Sequence, residues 1–274
     1  MAYFTIDSQK CKHDGICAAE CPVRLLELKD GTSIPTPVAG AEERCLKCGH
    51  CVAVCASGAF SLNVMNAADC PPVNVHPPLT EEQTEHFLRY RRSIRCYKEK
   101  PVEREKLARI IEISRYAPTA SNSQKVGWSV VNSHEEVKKV SGVMVDFLRH
   151  MVKNKHPMAA SYRLDDLVKA WDAGRDQISR GAPALVAIHA PKEYGIGQVD
   201  CALALGYFDL AAPSFGLGTC WGGFFMIGVG HWPPLQQALG IPDGRTCFGV
   251  MMVGYPKYKY HRLPLRNPPN IIWK

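Results

Sequence analysis

The feature that most constrains this chain is a duplicated cysteine motif near its start. Cys11, Cys17 and Cys21 recur at a constant offset as Cys45, Cys51 and Cys55, with Asp14 standing where the second copy has Cys48. The second copy reads Cys45-x2-Cys48-x2-Cys51-x3-Cys55, so four thiols crowd into one short stretch. In a small secreted chain, dense cysteines usually mean disulfides. Here seven of the 12 cysteines fall within residues 11–55 of a 274-residue chain. The opening MAYFTIDSQK has neither the basic region nor the apolar core of a secretory signal. A cytoplasmic, reducing setting and metal ligation are therefore expected. The scattered Cys70, Cys96, Cys201, Cys220 and Cys247 read as buried, inert thiols.

Three thiolates spaced by two residues suit separate corners of one iron–sulfur cube, and a fourth, three residues on, reaches the other cluster. The crossing puts Cys21, Cys45, Cys48 and Cys51 on one 4Fe–4S cluster and Cys11, Cys17 and Cys55 on another. Zinc is disfavoured, because its sites need two CxxC pairs separated by a longer loop. Asp14 leaves three alternatives open. A carboxylate is a harder and weaker ligand than a thiolate for iron in a sulfide cluster. It could ligate the fourth iron, leave that iron labile so that the cluster is 3Fe–4S, or face solvent over an incomplete cube. Strand-like runs, Tyr3–Ile6 and Ala59–Leu62, flank the repeat, with a hairpin turn expected at Lys29-Asp-Gly31 and an extended connection at Ile34–Pro37. Residues 1–65 resemble a two-cluster bacterial-type ferredoxin.

The proline-rich stretch 66–79 (NAADCPPVNVHPPL) reads as a semi-rigid linker. A second domain is expected over 80–274, opening where Thr80 caps a helix and Gln83 reaches back. Apolar periodicity marks helices near 81–92, 103–116, 134–153, 161–179 and 198–215. Strand-like runs at 127–132, 184–189 and 246–253 are too apolar for one wet face, so a sheet covered by helices on both sides is expected. The class is α+β. The formal charge is +7, but residues 1–65 carry six basic and seven acidic side chains, so the surplus lies beyond them. No basic block longer than Arg91-Arg92 and no aromatic-studded basic stripe occurs, which argues against nucleic acid. No apolar run is long enough to span a membrane.

The second domain carries three weak signals. Arg91-Arg-Ser-Ile-Arg95 combines arginine forks with a hydroxyl, a set that suits a phosphate. Ala117-Pro-Thr-Ala-Ser-Asn-Ser-Gln124 is a polar loop leaving a helix, and Gly216-Leu-Gly-Thr-Cys-Trp-Gly-Gly223 could let backbone approach a flat ring. The last is no dinucleotide fingerprint, since Trp221 takes the place of the third glycine. His231, Trp232, Phe147 and Trp171 read as core or interface packing.

Taken in order, with Val253-Gly-Tyr-Pro256 and a basic tail closing them, these motifs resemble the FMN-dependent nitroreductase family over about residues 85–270. The whole chain resembles ferredoxin–nitroreductase fusions: a small two-cluster ferredoxin-like domain, then a nitroreductase-like domain with a central sheet covered by helices. The resemblance implies a homodimer with FMN at the interface. By residue it implies Arg91 and Ser93 on the FMN phosphate with Arg92 beside them, and Arg95 near the pyrimidine edge. It implies Pro118, Thr119, Ser121, Asn122 and Gln124 on the ring and ribityl chain, some from the partner subunit. Gly222 or Gly223 N–H would face flavin N5, and Arg262 with Lys259 would close on the phosphate. The activity implied is reduction of a small-molecule acceptor (a nitro compound, quinone or activated alkene) by FMN supplied through the clusters, with ferredoxin or NAD(P)H as donor. The alternative is an electron-transfer module passing electrons to a partner protein.

Overall fold

In the computed structural model, which describes residues 2–30, 33–73 and 79–274, the chain divides into two units. The first runs to Leu79 and includes Ala120–Ser123; the second holds Thr80–Thr119 and Gln124–Lys274. Gly31 of the expected hairpin turn and residues 74–78 of the expected linker lie outside the described residues.

The first unit is built from short elements: β1 (Phe4–Ile6), α1 (Ile16–Ala19), β2 (Leu26–Glu27), β3 (Thr36–Pro37), α2 (Ala41–Arg44), α3 (His50–Ala53) and β4 (Phe60–Leu62). The two expected flanking strands pair with each other, β1 antiparallel to β4, with Phe4 opposite Leu62 and Ile6 opposite Phe60. Ile34–Pro37, expected as a plain connection, ends in β3, which pairs with β2. Its proline costs the ladder little in so short a pairing. Tyr3, Leu26, Val52, Phe60 and Leu62 form the core, and Cys17, Cys45 and Cys55 pack against it. Past β4, Asn66 caps a single 3-10 turn, Ala67–Asp69, in what composition marks as linker.

The second unit opens on α4 (Glu81–Tyr90), whose capping box is complete. Thr80 Oγ1 accepts from Gln83 N at 3.2 Å, and Thr80 N donates to Gln83 Oε1 at 3.0 Å. There follow α5 (Arg104–Ser114), β5 (Gly127–Val131), α6 (His134–Lys153), α7 (Pro157–Ser161), α8 (Leu164–Asp172), β6 (Ala184–Pro191) and α9 (Gly197–Ala211). The chain ends with β7 (Gly218–Trp221), α10 (Gly223–Val229), α11 (Pro233–Ala238) and β8 (Arg245–Gly254), then an extended tail. The four strands form one antiparallel sheet in the order β5-β6-β8-β7.

Alternation along the central strands sorts their side chains onto two faces. Leu185, Ala187, Val250 and Met252 pack beneath α6, α10 and α11, while Ala184, Val186, Ile188, Met251 and Val253 pack beneath α5 and α9. Both faces are dry, as the apolar runs imply. The helix expected over 161–179 forms only as α8, because Arg163 takes a left-handed φ of 50° just before it and Gly174 at φ 76° follows its end, while α7 lies ahead of the expected span. The strand β7 and the helices α10 and α11 are additions to the expected set.

Candidate redox centres

The two cysteine copies share one backbone. His13 and Gly15 have φ of 58° and 69°, and the equivalent Lys47 and Gly49 have 54° and 74°. Asp14 is therefore presented by the same left-handed, ordinary, left-handed turn as Cys48. Glycine is needed in that turn for its φ and for space, since a Cβ on Gly49 would lie 2.6 Å from Met65 Sδ and one on Gly15 would lie 2.9 Å from Leu28 Cδ1. The third cysteine of each copy, Cys17 or Cys51, sits in a short helix, and the fourth, Cys21 or Cys55, follows it. The fourth cysteines match again: Leu25 N donates to Cys21 Sγ and Ala59 N donates to Cys55 Sγ, both at 3.3 Å. Asp14 has one oxygen engaged, accepting from Ile16 N at 3.2 Å.

Electrostatics separates the ligating groups into two neighbourhoods. Burial pushes the Cys51 thiol up to about 12, reinforced by Cys48, Cys45 and Cys21. Burial likewise raises Cys17, whose charged neighbours are Cys55, Asp14 and Cys11. Burial also acts on Cys55, but the Ser57 hydroxyl and N–H groups of residues 57, 59 and 60 outweigh it, and the thiol is lowered. Several thiols gathered in one place need a cation before they can ionise together. Among the described residues no three His, Cys, Asp or Glu side chains converge on a single ion. A four-iron cube, which takes each thiolate at a separate corner, fits such a spread set better than zinc does. Cys21, Cys45, Cys48 and Cys51 line one small cavity, walled by Phe4 and Leu26 among others. Beside Cys45 the Tyr3 hydroxyl is buried without a partner of hydrogen-bond geometry, and burial and that thiol push it up to about 12. A cluster-bound sulfur would accept its proton.

In the second unit, the segment after α4 lies along the outer edge of β7. Ser93 bridges Thr219, Ile94 N donates to Thr219 O at 2.8 Å, and Lys257 N donates to Cys96 O at 3.0 Å. Arg91 pairs with Asp209 at 3.4 Å, and Thr219 Oγ1 donates to the same buried carboxylate. Burial raises Asp209, against the pull of Thr219 and Arg91. Nothing in the spacing of the sequence marks Asp209. Arg92 turns back on its own helix, donating to the carbonyls of Arg91 and Arg89 at 2.6 and 3.1 Å.

Arg95, Gly222 and Gly223 come together around a cleft of about 380 Å³, with Trp221. Tyr162, Ile178, Phe224, Ile227 and Met252 add apolar wall, and Arg180 adds a second cation. Tyr162 and Ile178 fall in parts of the span 161–179 that periodicity marks as helix but that fold as turn and bend, and Phe224 lies on the unexpected α10. The Gly222 N–H is already committed to Val250 O at 2.8 Å, whereas Gly223 N–H, at the start of α10, has no partner among the described residues, and a Cβ at Gly223 would meet none of them within 4 Å. Of the two glycines named by the motif, Gly223 is the one left with a donor. Thr119 and Gln124 line a different cavity, where Thr119 Oγ1 accepts from Gln124 N at 3.1 Å. Pro118 is exposed beside them, and Ser121 and Asn122, both left-handed, group with the first unit. Lys259 and Arg262 are exposed on the tail. One chain thus divides the expected flavin set rather than closing it.

Comparison with known proteins accounts for both units. The 4Fe-4S dicluster domain profile matches residues 3–56, and the nitroreductase family profile matches residues 88–255. The FMN reductase [NAD(P)H] of Bacillus subtilis is 31% identical over 184 residues, covering 63% of this chain and 66% of its own. An NADH dehydrogenase of Thermus thermophilus is 29% identical over 209 residues, 67% of this chain and 92% of its own. Ferredoxin-1 of Nitratidesulfovibrio vulgaris is 48% identical over 31 residues, 11% of this chain and 50% of its own. A nitroreductase with bound FMN from Bacteroides fragilis shares the fold at a TM-score of 0.56 and 20% identity, over 72% of this chain and 100% of its own. With a dicluster 4Fe–4S ferredoxin domain preceding the matched region, the chain belongs to the nitroreductase family.

Proposed function

We propose that this protein is an oxidoreductase in which two iron–sulfur clusters supply electrons to FMN and a small acceptor (a nitro compound, quinone or activated alkene) is reduced in the cleft at Arg95 and Gly223. The observation that carries the reading is the presence, in one chain, of two groups of clustered cysteines and of that cleft. When bound, FMN supplies hydride chemistry and the clusters supply single-electron transfer. Cys21, Cys45, Cys48 and Cys51 hold one cluster; Cys11, Cys17 and Cys55 hold the other, with Asp14 at its fourth corner or that corner labile. Domains of 1–65 and 80–274, joined by 66–79, would then carry the two cofactor types.

Arg91 and Ser93 hold the FMN phosphate, Arg95 sets a cation against the ring's pyrimidine edge, and Gly223 N–H donates towards the ring. Arg92, committed to the end of α4, supports that turn rather than the phosphate. Pro118, Thr119, Ser121, Asn122 and Gln124 contact the ring and ribityl chain, some of them on the cofactor of a second copy in a homodimer; Thr119 and Gln124 line a cavity other than that of Arg95. Lys259 and Arg262 close from the tail. The apolar wall of Tyr162, Ile178 and Phe224 suits a small acceptor better than a partner protein's charged face. The setting is cytoplasmic, and among the described residues no helix is long and apolar enough to cross a membrane.

The test is anaerobic stopped flow with NADH, NADPH or chemically reduced ferredoxin, following flavin bleaching. Rapid bleaching by reduced ferredoxin alone is expected, followed by turnover of an acceptor. Rapid bleaching by NAD(P)H with later cluster reduction would reverse the direction and favour a module that donates to a partner protein.

A further inference from the structure

Beyond the cleft, a second cavity of about 290 Å³ opens between α6, α7 and the turn joining α10 to α11. On α6, Phe147, His150, Met151 and Asn154 stand at i, i+3, i+4 and i+7, so one face of the helix lines it. Trp232 packs against that face, with its ring centroid 5.6 Å from Phe147 and 5.5 Å from His150, and lines the cavity with them. Met151 and Met158 add polarisable thioether surface, which adapts to a flat ring.

The three imidazoles keep two donors, on His150 and His156, and one acceptor, on His231. His156 Nδ1 accepts from Met158 N at 3.2 Å, which leaves Nε2–H as a donor in the neutral ring. His150 Nε2 faces the Asn154 amide nitrogen at 3.2 Å; the amide can only donate, so Nδ1–H is the remaining donor there. His231 Nδ1 donates to Ile227 O at 3.1 Å and keeps Nε2. Three imidazoles therefore line the cavity, each with one ring nitrogen to spare, and among the described residues no carboxylate lines it. Ile227 lines both this cavity and the Arg95 cleft, so the two adjoin along α10.

We infer that this cavity binds a small aromatic carboxylate, its ring against Trp232 and the thioethers and its carboxylate on the His150 and His156 donors. It is an annex that selects acidic aromatic acceptors for the adjoining cleft, and in that respect it rests on the functional reading above.

The experiment uses the full chain loaded with both cofactor types and two kinds of probe. Benzoate, which cannot be reduced, is titrated by calorimetry and by saturation-transfer NMR. The reduction kinetics of 4-nitrobenzoate and nitrobenzene are then compared. Saturable benzoate binding is expected, weakened roughly five- to tenfold by His150→Leu, the ratio that one lost hydrogen bond of ordinary strength produces. The KM for 4-nitrobenzoate should rise about fivefold more than that for nitrobenzene in the same variant. Trp232→Leu should weaken benzoate as well, and thermal melts identify any variant that has lost its fold. Absence of benzoate binding, or binding indifferent to both His150→Leu and Trp232→Leu, overturns the inference. Benzoate binding that depends on His150, without turnover of any nitro compound, quinone or activated alkene by the reduced protein, supports the cavity and overturns the oxidoreductase reading instead.

Discussion

His189 shows how a single buried side chain can set a pH limit. Arg245 Nε donates to its Nδ1 at 2.6 Å, and its Nε2 lies 3.2 Å from Ser129 Oγ, whose proton goes to Gly240 O. Burial first, and the Arg245 charge second, hold it down at about 4, from the ordinary 6.5. The unfolded chain takes up a proton below 6.5 that the native chain refuses until about 4, so stability is full above pH 6.5 and falls across that window. The loss should approach about 3 kcal/mol at the acid end. Urea midpoints at pH 7 and pH 5 measure it, and His189→Gln should flatten the slope. Asp14 yields a second expectation. Because its turn matches that of Cys48 in backbone, Asp14→Cys should complete a four-thiolate set without refolding the loop. EPR after mild oxidation should show a three-iron signal in the native chain and none in the variant. The shared turn of the two cysteine copies was legible in the sequence, because a repeat of spacing carries a repeat of backbone. Asp209 was not, since its partners Arg91 and Thr219 are distant along the chain and meet it only through the fold.

Among elements, long periodic helices and apolar strands were readable, and the short glycine-rich ones were not. The α6 helix occupies the expected span, because a Ser133 cap and a continuous apolar stripe mark both its start and its face. Residues 216–223 read as a turn, yet Gly218–Trp221 form β7. Its glycine carries no strand propensity, and pairing with β8 decides its conformation. Close packing explains the glycine: a Cβ at Gly218 would stand 2.3 Å from Ile94 Cγ1 and 2.9 Å from Pro256 Cγ. Gly218→Ala should therefore push the Arg91–Tyr97 segment off the strand. A cost of about 2 kcal/mol is expected, seen as a melting point lowered by roughly 4–8 °C. FMN affinity should fall with it, since Ser93 and Arg95 ride on that segment, and equilibrium dialysis reads that second effect.

At the scale of the whole molecule, the two units have separate cores of very different size. The first depends on a handful of buried side chains around Phe60 and Leu62, too few to hold a domain of its length without further support. Iron removal by chelator and oxidant should therefore expose residues 2–73 to protease while the second unit keeps its cooperative melt. Limited proteolysis with mass spectrometry distinguishes this from a single shared transition. The antiparallel sheet of the second unit has a further consequence. A short outer strand with free amides and carbonyls is a template on which other chains can polymerise. Along β7 that template is covered by the Ser93–Thr219 bridge and the Ile94 hydrogen bond. The stretch proposed to grip a phosphate is thus also the molecule's guard against fibrillar self-association, and sequence changes tolerated by the cofactor would still be filtered by solubility.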